Sequence, residues 1–182
     1  MQRGSEIEFR VNEVTRETAR FWSNKILATG LQRVPNYTGL HQPDRFYIGY
    51  IGEITFRNVL WYYGKRFRFA ARLDGHPDEA DVIAWILDEP CSLNIKTSDQ
   101  QHHRHLMIPV AQFVKRRQDY YICANLREYH DMVTFKGWLT HDEVSRQEQV
   151  QLKVMTIRAA FADLHSMRDL IDRLDNIKSA PV

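Results

Sequence analysis

Two apolar, strand-like runs stand back to back in the middle of this chain. Ala80-Asp81-Val82-Ile83-Ala84-Trp85-Ile86 and Cys91-Ser92-Leu93-Asn94-Ile95-Lys96-Thr97 are rich in β-forming residues, and Asp88-Glu89-Pro90 between them is a turn signal. That pattern commits the segment to an antiparallel hairpin. A turn centred on Asp88-Glu89 makes paired residue numbers sum to 177, with Asp81 opposite Lys96 and Ile83 opposite Asn94. Side chains alternate along a strand, so Asn94 and Lys96 share a face and Asp81 projects beside them. An acid, an amide and an amine converge at one end of the hairpin, a group suited to holding a metal ion and polarising a phosphodiester. The plain alternative is a cross-strand Asp81–Lys96 ion pair, worth a few tenths to about 1 kcal/mol.

The surrounding periodicity predicts the other elements. Residues 12–28 carry a helical mix closed by Gly30, and 30–44, with two prolines, read as an ordered loop. Asp44 can cap a helix from Arg45 to Tyr63, with Gly64 ending it; this helix is apolar almost all round and is expected at the centre. Strands are expected near 66–72, 80–87 and 91–98, then a loop over 99–105 and a short helix near 107–117 with Pro109 in its first turn. Strands near 119–126 and 132–139 follow. Thr140-His141-Asp142-Glu143 has capping-box spacing and should start a short helix. Gln149 to Ile157 reads as a last strand, and Phe161, Leu164, Met167, Leu170, Ile171 and Leu174 give the tail, 158–177, a helical spacing. The expected fold is α/β, with a central mixed β-sheet flanked by helices in one domain over residues 1–182.

Composition narrows the setting. With 43% hydrophobic and 26% charged residues over 182, the chain has the balance of an ordinary soluble domain. No apolar run is long enough to span a membrane, and Met1-Gln2-Arg3-Gly4-Ser5 is no signal peptide, so no membrane partner is expected. Cys91 and Cys123 fall in predicted strands, which suits small core residues in a reducing cytoplasm. A net charge of +2 does not by itself require a nucleic-acid partner. Lys65-Arg66-x-Arg68 and Lys115-Arg116-Arg117, with Arg104, are local basic candidates for phosphate contact, although solvated faces produce such runs about as often.

Asp81 and Asn94-Ile95-Lys96, with Glu53 upstream in Tyr50-Ile51-Gly52-Glu53-Ile54-Thr55-Phe56, together resemble the PD-(D/E)XK nuclease superfamily. Its pattern is an acid on an early helix, an acid on a strand, then acid-x-Lys on the next strand. The resemblance covers roughly residues 45–143, leaving an N-terminal helical segment, 1–44, and a C-terminal helix, about 158–177, outside the core motifs. It implies a restriction-endonuclease-like core and hydrolysis of DNA phosphodiester bonds, with an endonuclease favoured. It implies Mg²⁺ or Mn²⁺ held by Glu53, Asp81, Asn94 and the backbone carbonyl of Ile95, with Lys96 orienting the water or stabilising phosphoryl charge, and a homodimer for a double-strand cut. Asn94 departs from the family's usual Asp or Glu, and Ala80 from its frequent Pro.

An amide oxygen brings no negative charge, so Asn94 leaves three readings open. Glu53 supplies the missing charge in an active enzyme; the fold binds nucleic acid without cutting; or the asparagine is a substitution introduced to trap a substrate complex. Glu53 itself needs a cation or a metal if buried, and Arg57, four residues on, offers an ordinary salt bridge. Glycines at 49 and 52 should let its helix approach a sheet closely. The run His102-His103-x-His105 is expected to be a polar loop beside the cleft, with phosphate contact or proton relay as its functional alternative. The resemblance also assigns Gln112 to the site, with a helix-surface glutamine as the equal alternative. Trp61-Tyr62-Tyr63 reads as core, with base stacking the lesser reading. If every acid–base pair is only structural, the chain is a partner-binding module.

Overall fold

The computed structural model describes residues 6–28, 42–69, 81–100 and 102–177. Its central hairpin turns on Leu87 and Asp88, which both have positive φ, 52° and 66°. This two-residue turn joins β3 (Val82–Ile86) to β4 (Glu89–Ser98). Val82 therefore pairs with Leu93 and Ile86 with Glu89, so paired numbers sum to 175, which corrects the expected register by two residues. The Leu87 and Asp88 N–H groups donate to the two carboxylate oxygens of Asp175, at 3.0 and 2.7 Å. Arg66 pairs with Asp88 at 3.1 Å and lies 4.3 Å over the Trp85 ring. These distant partners hold a leucine in a conformation it rarely adopts, which local turn chemistry alone would not select. A shift of two keeps every side chain on its face.

The hairpin belongs to a six-stranded mixed sheet, ordered β1-β7-β6-β4-β3-β2, with β1 Ile7–Arg10, β2 Phe67–Phe69, β6 Tyr120–Leu126 and β7 Met132–Thr140. Only β4 and β6 run parallel; the other pairs are antiparallel. β1 has no counterpart in the expected elements. α1 (Glu13–Ala28) matches its expectation, and α2 (Gln42–Tyr62) is the buried apolar helix, ended by Gly64 at φ 64°. Ile51, Phe56, Val59 and Leu60 of α2 pack with Leu93, Ile95, Ile122 and Phe135 in one core on this face of the sheet. Burying such a face is the main source of its stability.

The opposite face was not foreseen. A second, three-stranded antiparallel sheet, β5-β9-β8, packs there, built from His105–Pro109, Met155–Ala160 and Glu148–Gln151. Leu106, Ile108 and Ile157 meet Tyr121, Cys123 and Leu139 in a second core. Three expectations are corrected here. The helix expected over 107–117 starts only at Val110: alternate burial of Leu106 and Ile108 makes 105–109 a strand, and Pro109 is the extended N-cap of α3 (Val110–Lys115). The single strand expected over 149–157 is the hairpin β8–β9. The tail is not one helix: 158–160 complete β9 against β5, Phe161–Asp163 is a 3-10 turn, and only Met167–Arg173 is helical (α5), started by Ser166. Among the described residues no helix is long and apolar enough to cross a membrane.

The capping box holds as expected at α4 (His141–Ser145): Thr140 accepts from the Glu143 N–H, and the Glu143 carboxylate accepts from the Thr140 N–H. The same carboxylate reaches His165 Nε2 at 2.6 Å, tying α4 to the strand-like bridge between Trp138 and His165. Burial pushes the Glu143 carboxyl up, but the Thr140 N–H, the His165 ring and the Thr140 hydroxyl outweigh it and hold the group down at about 2. A depressed carboxyl contributes stability above its unfolded value, here 4.5, and that contribution disappears as pH falls toward 2. The melting temperature should therefore fall between those limits more steeply in the native chain than in Glu143→Gln. Equal slopes in the two proteins would remove Glu143 as the cause.

Candidate active site

Asp81 stands just before β3 and is 93% buried, with 7% of its surface exposed. Its backbone N–H donates to the Leu93 carbonyl at 3.1 Å, which prolongs the hairpin by one bond. Its carboxylate Oδ2 accepts the Ile95 N–H at 2.6 Å. Asp81 thus faces Asn94, not Lys96 as the sum of 177 required. Backbone groups of alternate residues point to the same strand edge, so the Ile95 carbonyl projects to the Asp81 side of β4 as well.

Asn94 and Lys96 share the face of β4 turned toward the second core, beside Tyr121 and Cys123 in the parallel register of β6. Lys96 Nζ donates to Gln112 Oε1 at 3.1 Å, so the lysine and the glutamine do meet. The Asn94 amide oxygen is buried and has no hydrogen-bond partner among the described residues. A buried carbonyl oxygen without a donor costs about 1–3 kcal/mol, and a cation is the natural partner for it.

Glu53 comes from α2, on the other face of the sheet. Its neighbour Gly52 brings the helix backbone directly onto β4: a Cβ there would fall 2.9 Å from Thr97 Cβ. Gly49, expected to help, meets nothing within 4 Å, so Gly52 alone makes the close approach. Glu53 is half-buried beside that contact.

Three of these donors fit a hard divalent cation in kind, one buried carboxylate, an amide oxygen and a backbone carbonyl, while Glu53 stands on the helix that packs against the other face of the sheet. They are thin in charge, and among the described residues no three His, Cys, Asp or Glu side chains form a metal-binding cluster.

The accessory candidates separate. His103 Nδ1 lies 3.0 Å from Ser98 Oγ, and the His102 and His103 rings meet edge to face at 4.9 Å. Ser98 was not singled out from the sequence, although it lies two residues beyond Lys96 on the same face. Lys65 is buried, its ammonium donating to the Leu174 carbonyl and Asn176 Oδ1, both at 2.9 Å, so it is a structural tether. Arg66 braces the hairpin turn, and Arg117 lies 3.7 Å from Asp142. Arg68, Arg104 and Lys115 are exposed, and Arg116 is half-buried. Trp61 and Tyr62 are exposed, at 73% and 69%, which overturns the core reading for this helix end. Burial pushes the Cys91 and Cys123 thiols up to about 12, and both are free and buried, as expected for inert core residues.

No family model and no curated protein matches the chain. Among solved structures it is similar to a Holliday junction resolvase from the archaeal hyperthermophile Archaeoglobus fulgidus, at 10% identity and a TM-score of 0.40, over 70% of this chain and 98% of that one.

Proposed function

We propose that the chain is a single nuclease-like domain of the PD-(D/E)XK type that hydrolyses DNA phosphodiester bonds with Mg²⁺ or Mn²⁺. The observation that carries this reading is the orphan Asn94 oxygen beside the Asp81 carboxylate, on the same strand face as Lys96. Asp81, Asn94 and the Ile95 carbonyl would hold the ion, and Glu53 would add the second carboxylate. The bound ion supplies charge neutralisation at the phosphoryl oxygens and a water of lowered pKa. Lys96, oriented by Gln112, places a compact positive charge toward the phosphate or the attacking water. A cytoplasmic DNA-cutting homodimer is the setting in which such a site makes a double-strand break.

A second reading has its own support. Asn94 contributes an oxygen without charge, so a chain of this fold can bind nucleic acid and fail to cut it. Cleavage of linear, nicked, branched and single-stranded DNA with Mg²⁺ or Mn²⁺, by the native chain and by Asn94→Asp, separates the two. The nuclease reading expects the native chain to cut at least one substrate, and Asn94→Asp to reach half-maximal rate at a lower metal concentration. Cutting by Asn94→Asp alone selects the binding reading. No cutting by either protein removes the enzyme.

A further inference from the structure

Ser98 extends the face of β4 that carries Asn94 and Lys96, one strand repeat of about 6.6 Å beyond the lysine. Its Oγ accepts the Gln100 N–H at 3.2 Å and lies 3.0 Å from His103 Nδ1. The His103 N–H donates to the Gln100 carbonyl at 3.1 Å, which folds the loop back and fixes the ring against the strand. The contact takes one of two forms, and the one in which the Ser98 hydroxyl donates to Nδ1 leaves the ring proton on Nε2. Burial and the neighbouring His102 hold the imidazole below its usual range, so the ring is an uncharged N–H donor at neutral pH.

We propose that Ser98 and His103 form a second phosphate subsite, in which His103 Nε2–H donates to a non-bridging oxygen of the phosphate next to the one Lys96 faces. This rests on the nuclease reading and deepens it. A strand repeat on β4 is comparable to the step between successive phosphates of a nucleic-acid strand, so a substrate strand that passes Lys96 along β4 meets Ser98 next. Arg104, exposed, reaches the His103 carbonyl at 3.4 Å and adds positive charge at this end. Such a contact positions the strand and reads no base.

The test is a set of short DNA duplexes, each with one uncharged methylphosphonate, binding the native chain and His103→Ala in a metal chelator, followed by fluorescence anisotropy. A parallel digest of the unmodified duplex with Mg²⁺ maps the cut. At one position next to the cut, the methylphosphonate should weaken native binding about tenfold, roughly the worth of a hydrogen bond to a charged group, and should weaken His103→Ala no further. Ser98→Ala should show a smaller loss at the same position, and thermal melts check that both variants fold. Equal losses for His103→Ala on every duplex, no loss on any, or no DNA binding by the native chain overturns the subsite. Coupling at one position without cleavage keeps the subsite and removes the nuclease reading; cleavage without coupling does the reverse.

Discussion

In the nuclease reading, Lys96→Ala is expected to abolish metal-dependent cutting and leave the fold intact. The lysine is half-buried, and its ammonium donates to Gln112 at the surface of α3. Its removal takes no apolar group from either core. Surface changes of this kind cost within about 0.5 kcal/mol. Loss of a positive group aimed at developing phosphoryl charge costs far more in rate, on the order of 10²–10³. Those two scales separate the readings. If Lys96 is only structural, the melting temperature moves slightly and there is no activity to lose. The decisive measurement is cleavage by wild type and Lys96→Ala side by side, with denaturant melts of both. A variant that cuts at the native rate ends the catalytic assignment of Lys96. Gln112→Ala should give a partial loss, because it orients the amine without supplying the charge.

Local signals found what local interactions decide. The apolar run of α2 and its Gly64 stop, the Thr140–Glu143 capping box and the alternating strands β6 and β7 all rest on neighbours in sequence, and all stand where expected. The hairpin register does not, because Asp175, 87 residues beyond Asp88, chooses the turn. Even so, the faces of Asp81, Asn94 and Lys96 were right, since an error of two residues preserves the alternation. The small sheet was missed for the same long-range reason. Leu106 and Ile108 reveal a strand only when β9 pairs with them, and Pro109 beside a six-residue helix pulled the reading toward helix. The Asn94 oxygen, orphaned by packing, and the Ser98–His103 pair, formed by loop closure, have no sequence signature of their own.

Gly52→Ala should destabilise the protein by about 1–3 kcal/mol, although alanine normally improves a helix by about 0.5–1 kcal/mol. The reversal comes from packing. The added Cβ would sit 2.9 Å from Thr97 Cβ and 3.1 Å from its Cγ2, on a strand bonded to β6 along that stretch. Neither backbone can retreat without disturbing the core between α2 and the sheet. Gly49→Ala on the same helix is the internal control: it meets nothing within 4 Å and should be neutral or stabilising. Thr97→Ala removes the hydroxyl and the methyl and should recover part of the Gly52→Ala loss, since the remaining Cβ still requires a small shift. Urea melts of the native chain, Gly52→Ala, Thr97→Ala and the double variant give the coupling directly. Because Glu53 follows Gly52, a helix pushed off β4 also displaces its carboxylate. In the nuclease reading, Gly52→Ala should therefore lose more activity than its remaining folded fraction explains. Equal stability changes at the two glycines would mean that α2 does not rest on Thr97, and the placement of Glu53 beside the strand would go with it.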